Sequence, residues 1–195
     1  LLYHVERMNE ESANALLKVM EEPPEGVLFL LTADSLASVL PTIRSRCVSF
    51  AVAPVSPVQC ARYCAAQGVD KKDAALYSEL FDGHIGTVLA AAQDEARRAQ
   101  VDQALALAKA AAGRDSYAAG VLLSAYEKDK AGAIALLTDF RAVAASGLQG
   151  SPHSPLQGEA AQKALSLADT AIQHLTAQVN PKITLAVLAA RMRSI

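Results

Sequence analysis

Apolar residues recur at helical spacing over most of the chain, between residues typical of helix ends. Ser56-Pro57 and Asn180-Pro181 each join an N-cap residue to a proline suited to the first helical turn. Gly68 stands at an expected helix end, where glycine is favoured. The pattern predicts three helices over residues 54–94 and four or five more over residues 95–195.

The first 53 residues have a different pattern, in which short apolar runs alternate with a helical stretch and turns. The runs lie at residues 1–5, 27–31 and 48–52. The helical stretch begins near Glu10 and is stopped by Pro23-Pro24, because proline cannot continue a helix. Strands separated by a helix predict part of an α/β domain with a parallel sheet, which needs further strands to bury both faces.

Composition favours packed helices over a β-sandwich. Hydrophobic residues make up 52% of the chain and aromatic residues 5%. Alanine-rich stretches such as residues 101–112 and 131–145 allow helices to approach closely. We expect their small-residue faces to pack against partner subunits instead of closing into a monomeric bundle. Residues 148–158, rich in glycine and proline, predict a loop.

Charge and hydropathy limit the classes of function. The net charge of −2 gives no general electrostatic footprint for nucleic acid, so any DNA contact is expected to be local or made by partners. No apolar run reaches the roughly 20 residues that cross a bilayer, and no secretory leader opens the chain. We expect a cytoplasmic protein without a membrane partner.

The three cysteines, Cys47, Cys60 and Cys64, are an odd and sparse set that suits a reducing compartment. Cys60 and Cys64 lie one helical turn apart and could offer two ligands to zinc. No second pair or nearby histidine completes four-fold coordination, however. We therefore predict no metal site, and we predict that both thiols are small apolar side chains on a packed helix.

Two other catalytic hypotheses have little support in the sequence. Ser45 or Cys47 could be a nucleophile if a histidine base lay nearby. The candidate histidines are scattered along the chain: His84, His153 and His174. Glu21-Glu22 could supply acid and base groups, although adjacent carboxylates at a helix end more often form an exposed acidic end.

A specific motif lies in the first 53 residues. Residues 9–24 read N-E-E-S-A-N-A-L-L-K-V-M-E-E-P-P, and residues 40–47 read L-P-T-I-R-S-R-C. In this order and spacing they resemble the clamp-loader branch of the AAA+ ATPases, in which a helix N-x-L-L-K-x-x-E-E-P-P precedes the sensor-1 strand and the S-R-C loop. A weaker similarity continues to residues 179–188.

The resemblance implies a fold and an order of domains. It implies a mainly α chain in which residues 1–53 are the C-terminal part of an α/β AAA+ domain. Residues 54–94 would form a three-helix lid. Residues 95–195 would form an all-α collar domain through which subunits oligomerise.

The resemblance also implies roles for single residues. Arg46 of the S-R-C loop would act in trans as an arginine finger on ATP bound to a neighbouring subunit, because its planar donor fork suits phosphate oxygens. The residues expected to support that subunit edge are Arg44, Ser45 and Cys47. Thr32 and Asp34 fall at the sensor-1 position, where we expect a structural role in the absence of a bound nucleotide.

Three positions depart from the pattern of ATP-hydrolysing relatives. Tyr3 and His4 fall where those relatives carry the Asp-Glu pair that holds magnesium and orients the attacking water, and a shift of two residues would bring in Glu6. Gly86 stands where the lid arginine of a G-S-x-R stretch reads the nucleotide. We therefore expect this chain to bind no cofactor itself, with ATP and magnesium held by the neighbouring subunit.

These departures favour a subunit of the DNA polymerase III clamp loader that is not an enzyme by itself. The resemblance implies gamma or tau and delta subunits as partners in an assembly that loads the sliding clamp on primed DNA during replication. Two alternatives stay open. One is an ATP-hydrolysing subunit of the gamma/tau type, and the other is a helical scaffold with no role in ATP turnover.

Overall fold

The computed structural model describes residues 1–52 and 55–195, and the chain divides into two compact units, Leu1–Ala53 and Pro54–Ile195. The mainly α class is confirmed, because the described residues contain ten α-helices and no regular strand. The predicted boundary between the α/β part and the lid, at residues 53 and 54, lies outside the described residues. The boundary between lid and collar, at residues 94 and 95, stays a prediction.

In the first unit, helix α1 (Glu10–Glu21) begins and ends where the sequence predicts. The Asn9 side chain accepts a hydrogen bond from the backbone N–H of Ser12 at 2.8 Å, which satisfies one of the free donors of the first turn. Pro23-Pro24 then excludes a further turn. The other elements of this unit are α2 (Pro41–Arg44) and two 3-10 turns, Val5–Arg7 and Leu36–Ser38.

The three predicted strands do not form regular strands, and this prediction is wrong. The first two runs meet in one isolated parallel bridge between Leu2 and Leu31. The Leu2 N–H donates to the Leu30 carbonyl at 2.8 Å, and the Thr32 N–H donates to the Leu2 carbonyl at 2.9 Å. The pairing is parallel, as an α/β unit requires. Among the described residues, however, each of these two runs pairs only with the other, so the hydrogen-bond ladder does not extend beyond the single bridge.

The third predicted run, residues 48–52, stays on the surface of the first unit. Phe50 is 85% exposed and Val52 is 93% exposed. The small core of this unit is formed by α1, α2 and the residues that flank them. Its buried residues are Val5, Ala13, Val39 and Ile43.

The described part of the second unit, residues 55–195, is a set of eight helices joined by short turns. They are α3 (Pro57–Ala66), α4 (Lys71–Leu80), α5 (Ile85–Gln93), α6 (Glu95–Ala112), α7 (Ser116–Ser124), α8 (Lys130–Leu148), α9 (Gly158–Thr176) and α10 (Pro181–Arg191), followed by a 3-10 turn, Met192–Ser194. The predicted helix numbers and the loop between α8 and α9 are confirmed. The predicted caps also form: the Asn180 side chain accepts from the Lys182 N–H at 2.9 Å.

One hydrophobic core runs through the second unit, with α8 packed against both α6 and α9. Leu137 and Phe140 of α8 are fully buried. The alanine-rich faces are buried in the same core, as Ala104 of α6 and Ala164 of α9 illustrate. The prediction that these helices do not close into a bundle within the chain is therefore wrong, because small side chains let helices of the same chain approach each other. Contact of the same helices with partner subunits stays a prediction.

Within the described chain, α8 is the helix whose length and composition would suit a membrane span. Half of that apolar stretch is buried inside the second unit. A buried helix at the centre of a soluble core has the same composition, so α8 is weak evidence for a membrane segment.

A buried carboxylate joins three helices of the second unit. Asp139 of α8 is 4% exposed, and the Arg97 guanidinium of α6 donates to both of its oxygens, with 2.6 Å between Nη2 and Oδ1. Gln100 of α6 donates from Nε2 to Oδ2 at 3.0 Å. The Arg97 guanidinium carbon lies 5.5 Å from the ring centroid of Phe81, directly after α4. These contacts fix α4, α6 and α8 relative to one another.

Cys60 and Cys64 are fully buried on α3, which confirms their prediction as packed thiols. Burial and the neighbouring Cys60 raise the pKa of the Cys64 thiol to about 11. No histidine or carboxylate of the described residues joins the two thiols in a group that could hold a metal ion. The zinc alternative therefore gains no support.

We expect Asp139→Ala to lower the free energy of unfolding by about 3–5 kcal/mol, because it leaves the largely buried Arg97 guanidinium without its anion. Asp169→Ala is the matched control. Asp169 of α9 pairs with Arg141 of α8 at 3.3 Å, and both side chains are solvent-exposed, so this pair should contribute about 0–1 kcal/mol. Urea unfolding followed by circular dichroism measures both variants. Equal losses would contradict the role given to the Arg97–Asp139 pair.

We expect Cys60 and Cys64 to react with Ellman's reagent only after unfolding, because both thiols are fully buried and the reagent cannot reach them. Of the three free thiols, the half-buried Cys47 should react first in the native protein at about pH 8. Rapid reaction of two or three thiols without denaturant would contradict the burial of this pair.

The raised pKa of the Cys64 thiol makes the stability of the protein depend on pH. The folded state raises the pKa of Cys64 from 9.0 to about 11, so between these values the unfolded state loses a proton that the folded state keeps. The stabilising contribution is therefore complete below about pH 9 and is lost as the pH rises to about 11. Urea midpoints of the wild type and of Cys64→Ala, measured from pH 8 to 11, should show a steeper decline for the wild type.

Candidate functional site

The S-R-C turn follows α2 and presents Arg46 at the protein surface. The Arg46 N–H donates to the Ile43 carbonyl at 3.0 Å, and the Cys47 N–H donates to the Arg44 carbonyl at 3.3 Å. Ile43 is buried in the core of the first unit, whereas Arg44 and Arg46 are exposed. The buried isoleucine thus anchors a short turn that carries two cations on its outer side.

Each nitrogen of the Arg46 guanidinium has an acceptor within the first unit. Nε donates to Glu21 Oε1 at 2.9 Å, and Nη2 donates to the same oxygen. Nη1 donates to the Thr42 carbonyl at 3.1 Å and lies 3.5 Å from the Ser45 hydroxyl. The guanidinium is therefore held between the last residue of α1 and the backbone of α2.

The residues predicted to support Arg46 have different surroundings. The Ser45 hydroxyl donates to the Thr42 carbonyl at 3.0 Å, which closes the turn after α2. Cys47 is half-buried against the core of the first unit. The exposed Arg44 side chain makes no hydrogen bond or ion pair with the described residues. The predicted place of these three residues at a subunit edge stays a prediction.

The sensor-1-like positions and the positions of the acidic pair lie close together. The His4 N–H donates to the Thr32 hydroxyl at 3.3 Å, and the His4 imidazole Nδ1 lies 3.2 Å from Glu6 Oε1 and 3.8 Å from Asp34 Oδ1. Tyr3 is exposed beside them. The structure therefore brings His4, Thr32 and Asp34 together and adds Glu6.

The chemistry of this cluster differs from that of a magnesium site. His4, Glu6 and Asp34 offer one imidazole nitrogen and two carboxylate oxygens within 4.8 Å of one another, whereas magnesium prefers oxygen ligands alone. Hydrogen bonding from its own backbone and from His4 lowers the pKa of Glu6, so the Glu6 carboxylate is charged. Pairing between His4 and Glu6 accounts for the geometry, and we assign no metal to it.

Gly86, which we expect at the position of the lid arginine, lies shortly after a turn that requires glycine at residue 83. Gly83 has a φ of +75°, and a Cβ there would lie 1.7 Å from the Val55 carbonyl oxygen, so a larger residue does not fit. Gly86, in the first turn of α5, has no atom within 4 Å of such a Cβ. An added Cβ at residue 86 therefore meets no atom of the described residues, and the place of Gly86 at the position of a lid arginine stays a prediction.

Sequence reasoning did not identify Glu21 as the partner of Arg46. It singled out Glu21-Glu22 as an acidic helix end, but nothing in the sequence shows which carboxylate meets which cation 25 residues later. Glu21 is the last residue of α1 and Arg46 follows α2, and the packing of these helices brings the two side chains together.

Comparison with known proteins matches part of the chain. Residues 1–56 match the family model described as DNA polymerase III, delta subunit. The delta' subunit of DNA polymerase III from Haemophilus influenzae is 62% identical over 42 residues, which cover 22% of this chain and 13% of that protein. The delta' subunit from Yersinia pestis is 54% identical over 46 residues, or 24% of this chain and 14% of that protein.

A gamma subunit of DNA polymerase III is also similar to this chain. The subunit from Buchnera aphidicola is 42% identical over 50 residues, which cover 26% of this chain and 14% of that protein. The chain thus spans 13–14% of the length of these three relatives. The segment matched by the family model contains α1, α2 and the S-R-C turn. Residues 1–56 thus resemble the DNA polymerase III delta-subunit family, and part of this chain is similar to delta' and gamma subunits of that polymerase.

Proposed function

We propose that this chain is a non-hydrolysing subunit of the DNA polymerase III clamp loader that supplies Arg46 in trans to a neighbouring ATPase subunit. The observation that carries the proposal is the exposed guanidinium of Arg46 on an anchored turn, in the segment that matches the delta-subunit family. A fixed cation at a protein surface is the group that a phosphate held by another subunit needs.

The mechanism is electrostatic. During phosphoryl transfer, negative charge develops on the γ-phosphoryl oxygens, and an arginine from the next subunit stabilises it. The neighbouring subunit would hold ATP and magnesium, and Arg46 would complete its site. The turn after α2 orients the guanidinium before the phosphate arrives, so little reorganisation is needed at the moment of reaction.

A lack of ATP hydrolysis by this chain is supported by the residues at three positions. Tyr3 and His4 stand where hydrolysing relatives carry two carboxylates, and neither can replace an acidic magnesium ligand well. Gly86 stands in place of the lid arginine. The similarity to a gamma subunit keeps an ATP-hydrolysing subunit as the second candidate, but the same three positions oppose it.

The names of the relatives support other subunits of DNA polymerase III as partners, and the resemblance of the S-R-C segment to clamp loaders adds the sliding clamp and primed DNA. We propose that the chain joins gamma or tau and delta subunits, and that it contacts the sliding clamp and primed DNA through that complex in the cytoplasm. The net charge of −2 agrees with a subunit that does not bind DNA by itself. A helical scaffold without a role in ATP turnover would keep the partners but would not need Arg46.

We expect Arg46→Ala to lower clamp loading strongly, because loss of an arginine finger costs about 10³- to 10⁵-fold in rate at the site that it serves. The total ATPase rate should fall by a fraction, since one of several sites in the ring would face Arg46. Arg46→Lys should not restore loading, because lysine lacks the planar fork. The measurement reconstitutes the loader with each variant and follows assembly, DNA-dependent ATPase and clamp loading separately.

Arg62→Ala is the control for the loss of an exposed arginine, since Arg62 lies on the surface of α3. Both variants should assemble normally, because one exposed arginine contributes little to a large interface. Wild-type clamp loading with Arg46→Ala would contradict the proposed role and favour the scaffold alternative.

A further inference from the structure

The Arg46 guanidinium is held by acceptors from two different helices. Glu21, at the end of α1, accepts two hydrogen bonds through one oxygen, from Nε at 2.9 Å and from Nη2. Thr42, in α2, accepts from Nη1 through its carbonyl at 3.1 Å. These contacts restrain both the direction and the rotation of the guanidinium plane.

The hydrogen bonds leave one edge of the guanidinium available. Arginine has five N–H donors in a planar fork. Glu21 takes the Nε–H and the Nη2 hydrogen on the same side, and Thr42 takes one hydrogen of Nη1. Nη1 also lies 3.5 Å from the Ser45 hydroxyl, a contact near the limit for a hydrogen bond, so a phosphate oxygen can replace that hydroxyl at the terminal edge formed by Nη1 and Nη2. A bidentate contact with phosphate requires such a pair of parallel donors.

We infer that Glu21 is a positioning residue for Arg46, which holds the guanidinium so that its terminal edge is presented to a phosphate of the neighbouring subunit. This inference rests on the proposed function of Arg46. Glu21 would not contact the phosphate, and its charge would not be displaced. Its contribution is to limit the conformations of a long side chain before the phosphate arrives.

Glu21 could instead compete with phosphate for Arg46, and removal of Glu21 would then change the clamp-loading rate in the opposite direction. If Glu21 instead competed with phosphate for the guanidinium, its removal would free Arg46 and speed the reaction. Both side chains are partly exposed, at 38% for Arg46 and 52% for Glu21, so an effect of modest size is expected in either case. An exposed ion pair corresponds to about a 1.4- to 5-fold change in rate.

The test reconstitutes the loader with Glu21→Ala, Glu21→Gln and Glu22→Ala. Glu21→Ala should lower the clamp-loading rate at saturating ATP by about 2- to 5-fold, with no change in the ATP concentration that gives half the maximal rate. Glu21→Gln should restore most of the rate, because an amide oxygen accepts the same two hydrogen bonds. Glu22→Ala is the matched control, since the Glu22 carboxylate has no hydrogen bond or ion pair with the described residues.

The Arg46→Ala background separates the possible outcomes. There, Glu21→Ala should lower loading no further, whereas a general structural role of Glu21 would lower it in both backgrounds. Faster loading by Glu21→Ala, or loading equal to wild type, would overturn the positioning role while leaving the function of Arg46 intact. Wild-type loading by Arg46→Ala would instead overturn the proposed function itself.

Discussion

The buried Asp139 carboxylate is the constraint on which the packing of the second unit depends. A carboxylate removed from water costs several kcal/mol unless charge and hydrogen bonds replace its hydration. Arg97 and Gln100 of α6 supply both, and the Phe81 ring lies against the guanidinium. Because all four groups must meet, α4, α6 and α8 can cross in few ways. The alanine-rich helices then close around this arrangement, with small side chains at the points of contact.

An arginine–carboxylate pair also lies at the surface of the first unit, where it has a different consequence. Arg46 and Glu21 are both partly exposed, so their pairing contributes little to stability. A weak and solvent-accessible contact can orient a side chain without withdrawing it from a ligand. Burial thus separates the two roles: Arg97 and Asp139 fix a fold, whereas Glu21 and Arg46 are suited to a site that is completed by another molecule.

The sequence predicted features that depend on neighbouring residues along the chain. Caps such as Asn9 and Asn180, the stop at Pro23-Pro24 and the loop after α8 are local, and they are confirmed. The strands failed because a parallel ladder depends on neighbours that the described residues do not supply.

Contacts between residues that are distant in sequence could not be predicted. The alanine-rich faces were correctly identified as contact surfaces, but their packing against one another within the chain was not predicted, because periodicity shows which face packs and not what it packs against. In the candidate site, the motif identified Arg46, whereas Glu21 as its partner and the cluster of His4 with Glu6 required the structure.

The distance from Arg46 to a bound phosphate tests the central claim most directly. A structure of the reconstituted clamp loader with a non-hydrolysable ATP analogue would measure it at the interface between this chain and the neighbouring ATPase subunit. The predicted result is an Arg46 terminal nitrogen within about 3 Å of a γ-phosphate oxygen, with Glu21 still bound to Nε. A ring in which Arg46 faces solvent while the neighbouring γ-phosphate is bound by other groups would contradict the claim.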